Sequence, residues 1–239
     1  MTPALTPSAW LRYDVVARLW RVIGPVERVY EVGAGRGAAG VRLARHAAEY
    51  VAYEPDATSA SVAAQRFSAA GSGHVVNGTL TEGDADADVV CAFEVLEHID
   101  DDVAALRLWA SRLRPGGWLL LSVPAFAARY GAADEHVGHF RRYDPDLLRE
   151  RLVAAGLEPV EIRLYGWGLG NALEAARNAV AKRRKAATTT EERTAGSGRF
   201  LQPPDAVGWL TAAATAPFRL LQRARPSSGV GLVALARRT

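Results

Sequence analysis

Five short apolar runs, at residues 28–32, 50–53, 75–76, 88–93 and 118–123, follow one another with alanine-rich helical stretches between them. None alternates between apolar and polar residues. A strand of that kind needs apolar cover on both faces, and strands separated by helices pair in parallel through right-handed crossovers. The chain is therefore expected to be an α/β protein with a mainly parallel sheet between two helical layers. Residues 101–113 read as one crossover helix, closed by the turn Arg114-Pro115-Gly116-Gly117. Asp144-Pro145-Asp146 opens another, with Asp as cap, Pro in the first turn and Gly156 as the stop.

Two further strands are expected at 160–164 and 230–235. The sixty or so residues between them carry no strand signal: 169–185 and 206–223 read as helices, and 186–199 as a Thr/Gly/Ser-rich loop. Because a strand returns afterwards, residues 166–227 are read as a helical insertion or lid within a single domain, 1–239. At the other end Thr6-Pro7-Ser8 supplies a cap and an early proline. Trp10, Tyr13, Val16, Ala17, Trp20 and Ile23 then recur at helical spacing until Gly24, which predicts a leading helix within residues 1–24.

Composition narrows the class. With 49% apolar and 23% charged residues the chain has the make-up of a folded globule. Its single cysteine, Cys91, excludes an internal disulfide and a cysteine-clustered metal site. No apolar run approaches the ~20 residues that span a bilayer, and residues 1–13 lack a basic segment followed by an apolar one, so a cytoplasmic location is expected. The net charge of +3 conceals an asymmetry: −5 up to Val160 and +8 from Glu161 onward. The basic end suits an anionic substrate or peripheral contact with a lipid surface. Nucleic acid is not expected as a partner, since the sum is near neutral and no Asn-Pro-Pro-Tyr-like or catalytic cysteine motif follows the fourth strand.

The segment Glu31-Val32-Gly33-Ala34-Gly35-Arg36-Gly37 lies where the first strand gives way to a helix, a position where glycines let a ligand approach the backbone. Ala38 satisfies the last position of the dinucleotide fingerprint, so spacing alone fits either a nicotinamide dinucleotide or another nucleoside. Glu31 weighs against the first, because a carboxylate there would repel a pyrophosphate. It suits a ligand that carries an ammonium and a sulfonium. Glu54, about twenty residues on, ends the second strand where an acid binds ribose hydroxyls.

These segments, together with Tyr53-Glu54-Pro55-Asp56, Asp88-Val89-Val90-Cys91-Ala92-Phe93-Glu94-Val95-Leu96-Glu97-His98-Ile99 and Leu113-Arg114-Pro115-Gly116-Gly117-Trp118-Leu119-Leu120-Leu121-Ser122-Val123-Pro124, resemble the class I S-adenosylmethionine-dependent methyltransferases in that family's order. The resemblance implies a Rossmann-like doubly wound sheet of seven strands, order 3-2-1-4-5-7-6, with strand 7 antiparallel. S-Adenosylmethionine would be the cosubstrate and S-adenosylhomocysteine the product. It would place Glu31 near the methionine ammonium, Gly33, Ala34 and Gly35 against the methionine moiety, and Glu54 and Pro55 at the ribose. Thr79 and Leu80 would lie at the adenine, where many members have an Asp, and Phe93 and Glu94 on the cofactor's other side. Glu97 and His98 are expected to fix the following loop and helix.

Ala133-Asp134-Glu135-His136-Val137-Gly138-His139-Phe140-Arg141-Arg142-Tyr143 follows strand five and resembles a subgroup with a Gly-His-x-Arg-Arg-Tyr sequence there. An imidazole near its ordinary pKa can take a proton from an acceptor, which makes His139 the candidate base, with His136 and Glu135 in support. Arg141, Arg142 and Tyr143 are candidate substrate contacts, with loop anchoring as their alternative, and Tyr13 and Trp167 are candidate pocket walls. No metal site is expected. The reading is a methyltransferase acting on O, N or C of a small-molecule acceptor. A nicotinamide-dependent oxidoreductase and a non-catalytic S-adenosylmethionine-binding module are its rivals.

Overall fold

The computed structural model describes residues 2–184 and 204–239. Strands β1 (Val26–Val32), β2 (Ala47–Glu54), β3 (His74–Asn77), β4 (Ala87–Phe93), β5 (Leu113–Pro124), β6 (Leu157–Gly166) and β7 (Gly229–Arg238) form one sheet in the order β3-β2-β1-β4-β5-β7-β6. β1 to β5 pair in parallel, and β7 runs antiparallel between β5 and β6. Around them lie α1 (Pro7–Ile23), α2 (Gly40–Leu43), α3 (Ala57–Ala70), α4 (Asp102–Ser111), α5 (Ala132–Val137), α6 (Pro145–Ala154), α7 (Leu169–Arg184) and α8 (Gly208–Arg223).

The central strands are uniformly apolar because each face of the sheet has its own core. Val89 and Cys91 of β4 point to one face and pack with Leu11, Val15 and Leu19 of α1 and Phe67 of α3. Val90 and Ala92 point to the other and meet Leu106 and Trp109 of α4 and Leu148 and Leu152 of α6. All seven residues of β4 are buried, and each fully buried Val or Leu contributes roughly 1.5–3 kcal/mol. Asp88 fixes the register at the start of β4: its Oδ2 accepts from the N–H groups of Glu27 (2.6 Å) and Arg28 (2.8 Å).

α1 is capped as expected, with Thr6 Oγ1 accepting from Ala9 N at 3.1 Å and Gly24 stopping the helix at φ +79°. Its buried face is Leu11, Val15 and Leu19 together with Val16 and Trp20 of the predicted stripe. Trp10 and Tyr13 instead sit at the rim, where the Trp10 ring takes the guanidinium groups of Arg42 at 5.1 Å and Arg219 at 4.9 Å. Residues 114–117 are not a free turn between helix and strand. They lie within β5 at a register shift against β4, with Arg114 paired to Asp88 at 2.8 Å. Asp144 occupies the cap position of α6 as expected, but its side chain makes no capping hydrogen bond, so Pro145 and the acid Asp146 in the first turn favour the start of the helix.

The connection from β6 to β7 carries α7, a 3-10 turn (Asp205–Val207) and α8, so helices occupy the expected insertion. α8 packs on α1, where Gln222 Nε2 donates to the Leu11 carbonyl at 3.0 Å and to Asp14 Oδ2 at 3.2 Å. The loop expected at 186–199, with Lys185 and Arg199, lies outside the described residues. No described helix is long and apolar enough to cross a membrane.

Candidate active site at the carboxyl edge of the sheet

The glycine loop after β1 is folded onto the end of β2. The N–H groups of Gly33 and Ala34 both donate to the Tyr53 carbonyl, at 2.9 and 3.1 Å. Gly33 adopts φ +67°, and a Cβ there would come within 2.6 Å of Val95 Cγ2, so both conformation and space demand glycine. Gly35 also has positive φ, but its missing side chain would face open space. Its N–H donates to Glu54 Oε2 at 2.7 Å, while Glu54 Oε1 accepts from Asp56 N at 2.9 Å. Glu54 thus joins two loops through backbone donors and keeps a lone pair on each oxygen for a further donor.

Glu31 lies beneath this loop, 2% exposed, accepting a hydrogen bond from Tyr50 Oη at 3.0 Å. Burial raises its pKa to about 8, against the opposing influences of the Tyr50 bond and the Arg12 charge. At neutral pH the isolated chain therefore holds Glu31 largely as the neutral acid, which a nearby cation would ionise. The sequence located this group but not its protonation. Pro55 and Thr79 are exposed at the same edge, whereas Leu80 is 3% exposed and packs into the core with Tyr30 and Tyr53.

On the other side of the loop Phe93 is buried, and Glu94 stands at φ +57°, uncommon for a residue with a side chain. Glu94 Oε1 accepts from Ser122 Oγ at 2.8 Å and Tyr165 Oη at 3.1 Å, and Arg12 Nη1 lies 3.4 Å away. Burial pushes this carboxyl up, but Arg12 and the two hydroxyls outweigh it and hold it below the usual range. Arg12 and Ser122 were missed by sequence reasoning, and Tyr165, expected only as apolar surface of the acceptor pocket, engages Glu94 through its hydroxyl. They arrive from α1, β5 and β6, and no local pattern links them to Glu94.

Beyond Glu94 lie Glu97 and His98, and α5 with its following loop carries Asp134 and His139 to meet them. Asp134 Oδ1 lies 2.8 Å from His139 Nδ1 and accepts from Arg142 Nε at 2.9 Å, while its Oδ2 accepts from Gly131 N at 2.8 Å. Although burial favours its neutral form, these bonds hold Asp134 down to about 2. The carboxylate seated on His139 is thus Asp134, the residue before the expected Glu135. Glu135 itself is exposed, and His136 is half-buried in the last turn of α5. His139 Nε2 points back toward Glu97, 3.9 Å from Oε1. Glu97 is completely buried, and burial together with Glu94 pushes its carboxyl well above the usual range. His98 is lowered to about 4 by burial and by the neighbouring His139.

The arginines and tyrosine after His139 are engaged with the protein. Arg141 donates to the carbonyls of Ile99 (3.1 Å) and Asp100 (2.6 Å) and pairs with Asp102 at 3.1 Å. Arg142, 5% exposed, bridges Asp134 and Glu174 of α7, and Arg129 pairs with the same Glu174. Tyr143 is 0% exposed and donates to Asp102 Oδ2 at 2.9 Å. Their polar atoms hold the loop to α4 and α7. Tyr13 packs edge-on against Trp10, and Trp167 lies under the Arg225 guanidinium at 5.3 Å.

Residues 8–162 match the family described as "Methyltransferase domain". A ubiquinone biosynthesis O-methyltransferase of Xanthomonas campestris is 31% identical over 175 residues, covering 67% of this chain and 71% of that one. A probable S-adenosylmethionine-dependent methyltransferase of Mycobacterium tuberculosis is 29% identical over 143 residues, 58% of this chain and 50% of that protein. Among solved structures, the [4+2]-cyclase SpnF superposes with a TM-score of 0.62 at 19% identity, over 95% of this chain and 80% of that one, which is a likeness of fold. The matched segment runs from α1 into β6, and the sheet has the strand order expected of the resemblance. Between the two cofactors that the glycine loop left open the family decides, and the chain belongs to the methyltransferase domain family, the class I enzymes that use S-adenosylmethionine.

Proposed function

We propose that the protein methylates a hydroxyl oxygen of a small acceptor, with His139 as the group that receives the hydroxyl proton. The observation that carries this is the Asp134–His139 pair. A carboxylate held ionised against Nδ1 keeps the proton on that nitrogen and leaves the Nε2 lone pair on the side of Glu97, where an acceptor hydroxyl would meet it. Oxygen is favoured as the target because a neutral hydroxyl must shed a proton, whereas a free amine needs no base. The name of the Xanthomonas relative, an O-methyltransferase, points the same way.

The cofactor side fits S-adenosylmethionine on this chain's own features. Gly33 and Gly35 keep side chains out of the loop, Glu31 waits as a neutral acid that an ammonium would ionise, and Glu54 retains lone pairs for ribose hydroxyls. When bound, S-adenosylmethionine supplies an electrophilic methyl group on a sulfonium, lost in an in-line displacement. The protein's task is to align the acceptor oxygen behind that carbon and remove its proton. Glu94, fixed by Arg12, Ser122 and Tyr165, forms the wall between the two halves. The acceptor is taken to be a small molecule, with the α7–α8 insertion next to its entrance.

The test is turnover of matched phenol, catechol and amine acceptors, read as S-adenosylhomocysteine release. His139→Gln is expected to lower kcat for hydroxyl acceptors by about 10²–10⁴-fold and to leave S-adenosylhomocysteine affinity within about threefold. Amine acceptors that turn over while hydroxyl acceptors do not, unaffected by His139→Gln, would overturn the reading.

A further inference from the structure

Glu97 is a charged residue type with no exposure at all, and neither carboxylate oxygen receives a hydrogen bond. A native fold rarely leaves such a group without a partner unless something binds there. Beside it, Nδ1 of His98 is also buried and without a partner. The rings of His98 and His139 meet edge-on, with centroids 4.6 Å apart. One ligand atom from each of Glu97, His98 and His139 can be chosen so that all three lie within 4.8 Å of one another. Bonds of ~2.0–2.2 Å around one ion would bring the ligand atoms to about 3–3.5 Å from one another, so the three side chains must close in by up to about 1–2 Å on binding.

The surroundings are those of ligands held from behind. His139 has its other nitrogen on Asp134 at 2.8 Å. Imidazoles that coordinate a metal characteristically place their second nitrogen on a carboxylate or a carbonyl, which sets the tautomer and aims the lone pair. The Glu97 backbone takes part as well, since its carbonyl accepts from Phe140 N at 2.8 Å and so draws the His139 loop against the His98 turn. Two imidazoles and one carboxylate leave coordination positions free for substrate, in the pattern of catalytic rather than structural metal sites.

We propose that Glu97, His98 and His139 form a site for one first-row divalent cation, and that an acceptor hydroxyl reaches its open positions. This departs from the expectation of no metal. The role in catalysis rests on the function proposed above; the binding of the cation does not. The imidazole chemistry described there is that of the cation-free chain. With the ion in place the Nε2 lone pair is a ligand, and the ion lowers the pKa of the hydroxyl, whose O–H bond breaks with the proton passing to water and the electron pair remaining on oxygen.

The experiment is a Co²⁺ titration of the metal-stripped full chain followed by visible absorption, with Mn²⁺ calorimetry beside it. One equivalent is expected to bind. Glu97→Gln and His98→Ala should each weaken binding by at least about 100-fold and Asp134→Asn by about 10–100-fold, while His74→Ala, on the exposed edge strand, changes nothing. S-Adenosylhomocysteine binding and thermal melting, followed in every variant, show that the fold and the cofactor half survive. Absence of a one-equivalent Co²⁺ complex in a chain that still binds S-adenosylhomocysteine would overturn the site, and so would equal affinity in the wild type and Glu97→Gln. If the ion binds but a chelator leaves hydroxyl methylation at full rate, its catalytic role is overturned and the imidazole reading stands.

Discussion

The two halves of the site share one sheet edge and a similar stock of acids, yet they treat them differently. At the ends of β1 and β2, Glu31 is bonded to Tyr50 and Glu54 to two backbone N–H groups, so the acids have partners before any ligand arrives. Past β4 and β5, Glu97 has no partner and two imidazoles stand beside it, although the loop that carries them is anchored by a dense set of buried ion pairs. The first half suits one invariant ligand, whose contacts can be built into the backbone. The second is a rigid frame around reactive groups left open, which suits chemistry rather than storage of binding energy.

The frame should show the largest effect. Arg142→Ala removes the buried guanidinium that bridges Asp134 and Glu174, leaving Asp134 only His139 and Glu174 only Arg129, and is expected to cost about 3 kcal/mol in urea denaturation. Arg141→Ala removes bonds from a side chain about one-quarter exposed and should cost roughly 1 kcal/mol. Equal losses in the two variants would show that the loop is not held from its buried side. Loss of hydroxyl turnover on Arg141→Ala with unchanged stability would return that residue to the substrate.

This contrast also marks what the sequence could disclose. The glycine loop, Glu54 and the sheet were legible because each is written in neighbouring residues: a strand, a turn that needs positive φ, a helix start. The stripe on α1 was legible only in part: Val16 and Trp20 are core, whereas Trp10 and Tyr13 at the same spacing serve as rim for arginines, because periodicity does not say where a buried face ends. Asp134 was hidden by an adjacent acid of the same chemistry, and only the turn of α5 decides which of the two reaches His139. The grouping of Glu97 and His98 with His139 depends on a fold that closes some forty residues of chain.

A smaller effect tests the cofactor half. Gly33→Ala must place a methyl 2.6 Å from Val95 Cγ2 at φ +67°, whereas Gly35→Ala meets open space and bears the conformational cost alone. We expect a loss of ~2–3 kcal/mol for the first and ~1 kcal/mol for the second, measured by chemical denaturation. Val95→Ala should recover part of the Gly33→Ala deficit and none of that from Gly35→Ala. If both glycine variants respond alike, the loop is held by conformation only and its packing on the turn after β4 is incidental.

The finest test concerns the proton on Glu31. In the unfolded chain this carboxyl ionises near its ordinary value of 4.5, while in the fold it does so near 8. Below the lower value both states are protonated and the residue adds no pH dependence. Between the two, the unfolded chain has released a proton that the native chain keeps. The native state therefore binds more protons, and stability falls as pH rises, by at most about 1.4 kcal/mol per unit, until it levels off above about 8. Glu31→Gln removes this slope, so its stability relative to the wild type should improve from pH 5 to pH 8 in denaturant titrations. Saturating S-adenosylhomocysteine, which carries the ammonium, should flatten the wild-type slope, and binding at pH 7 should release protons, visible as a dependence of the calorimetric heat on buffer ionisation enthalpy. Parallel stability curves for the two proteins, with no proton release on binding, would mean that Glu31 is already ionised in the free chain and that the two halves hold their acids in the same way.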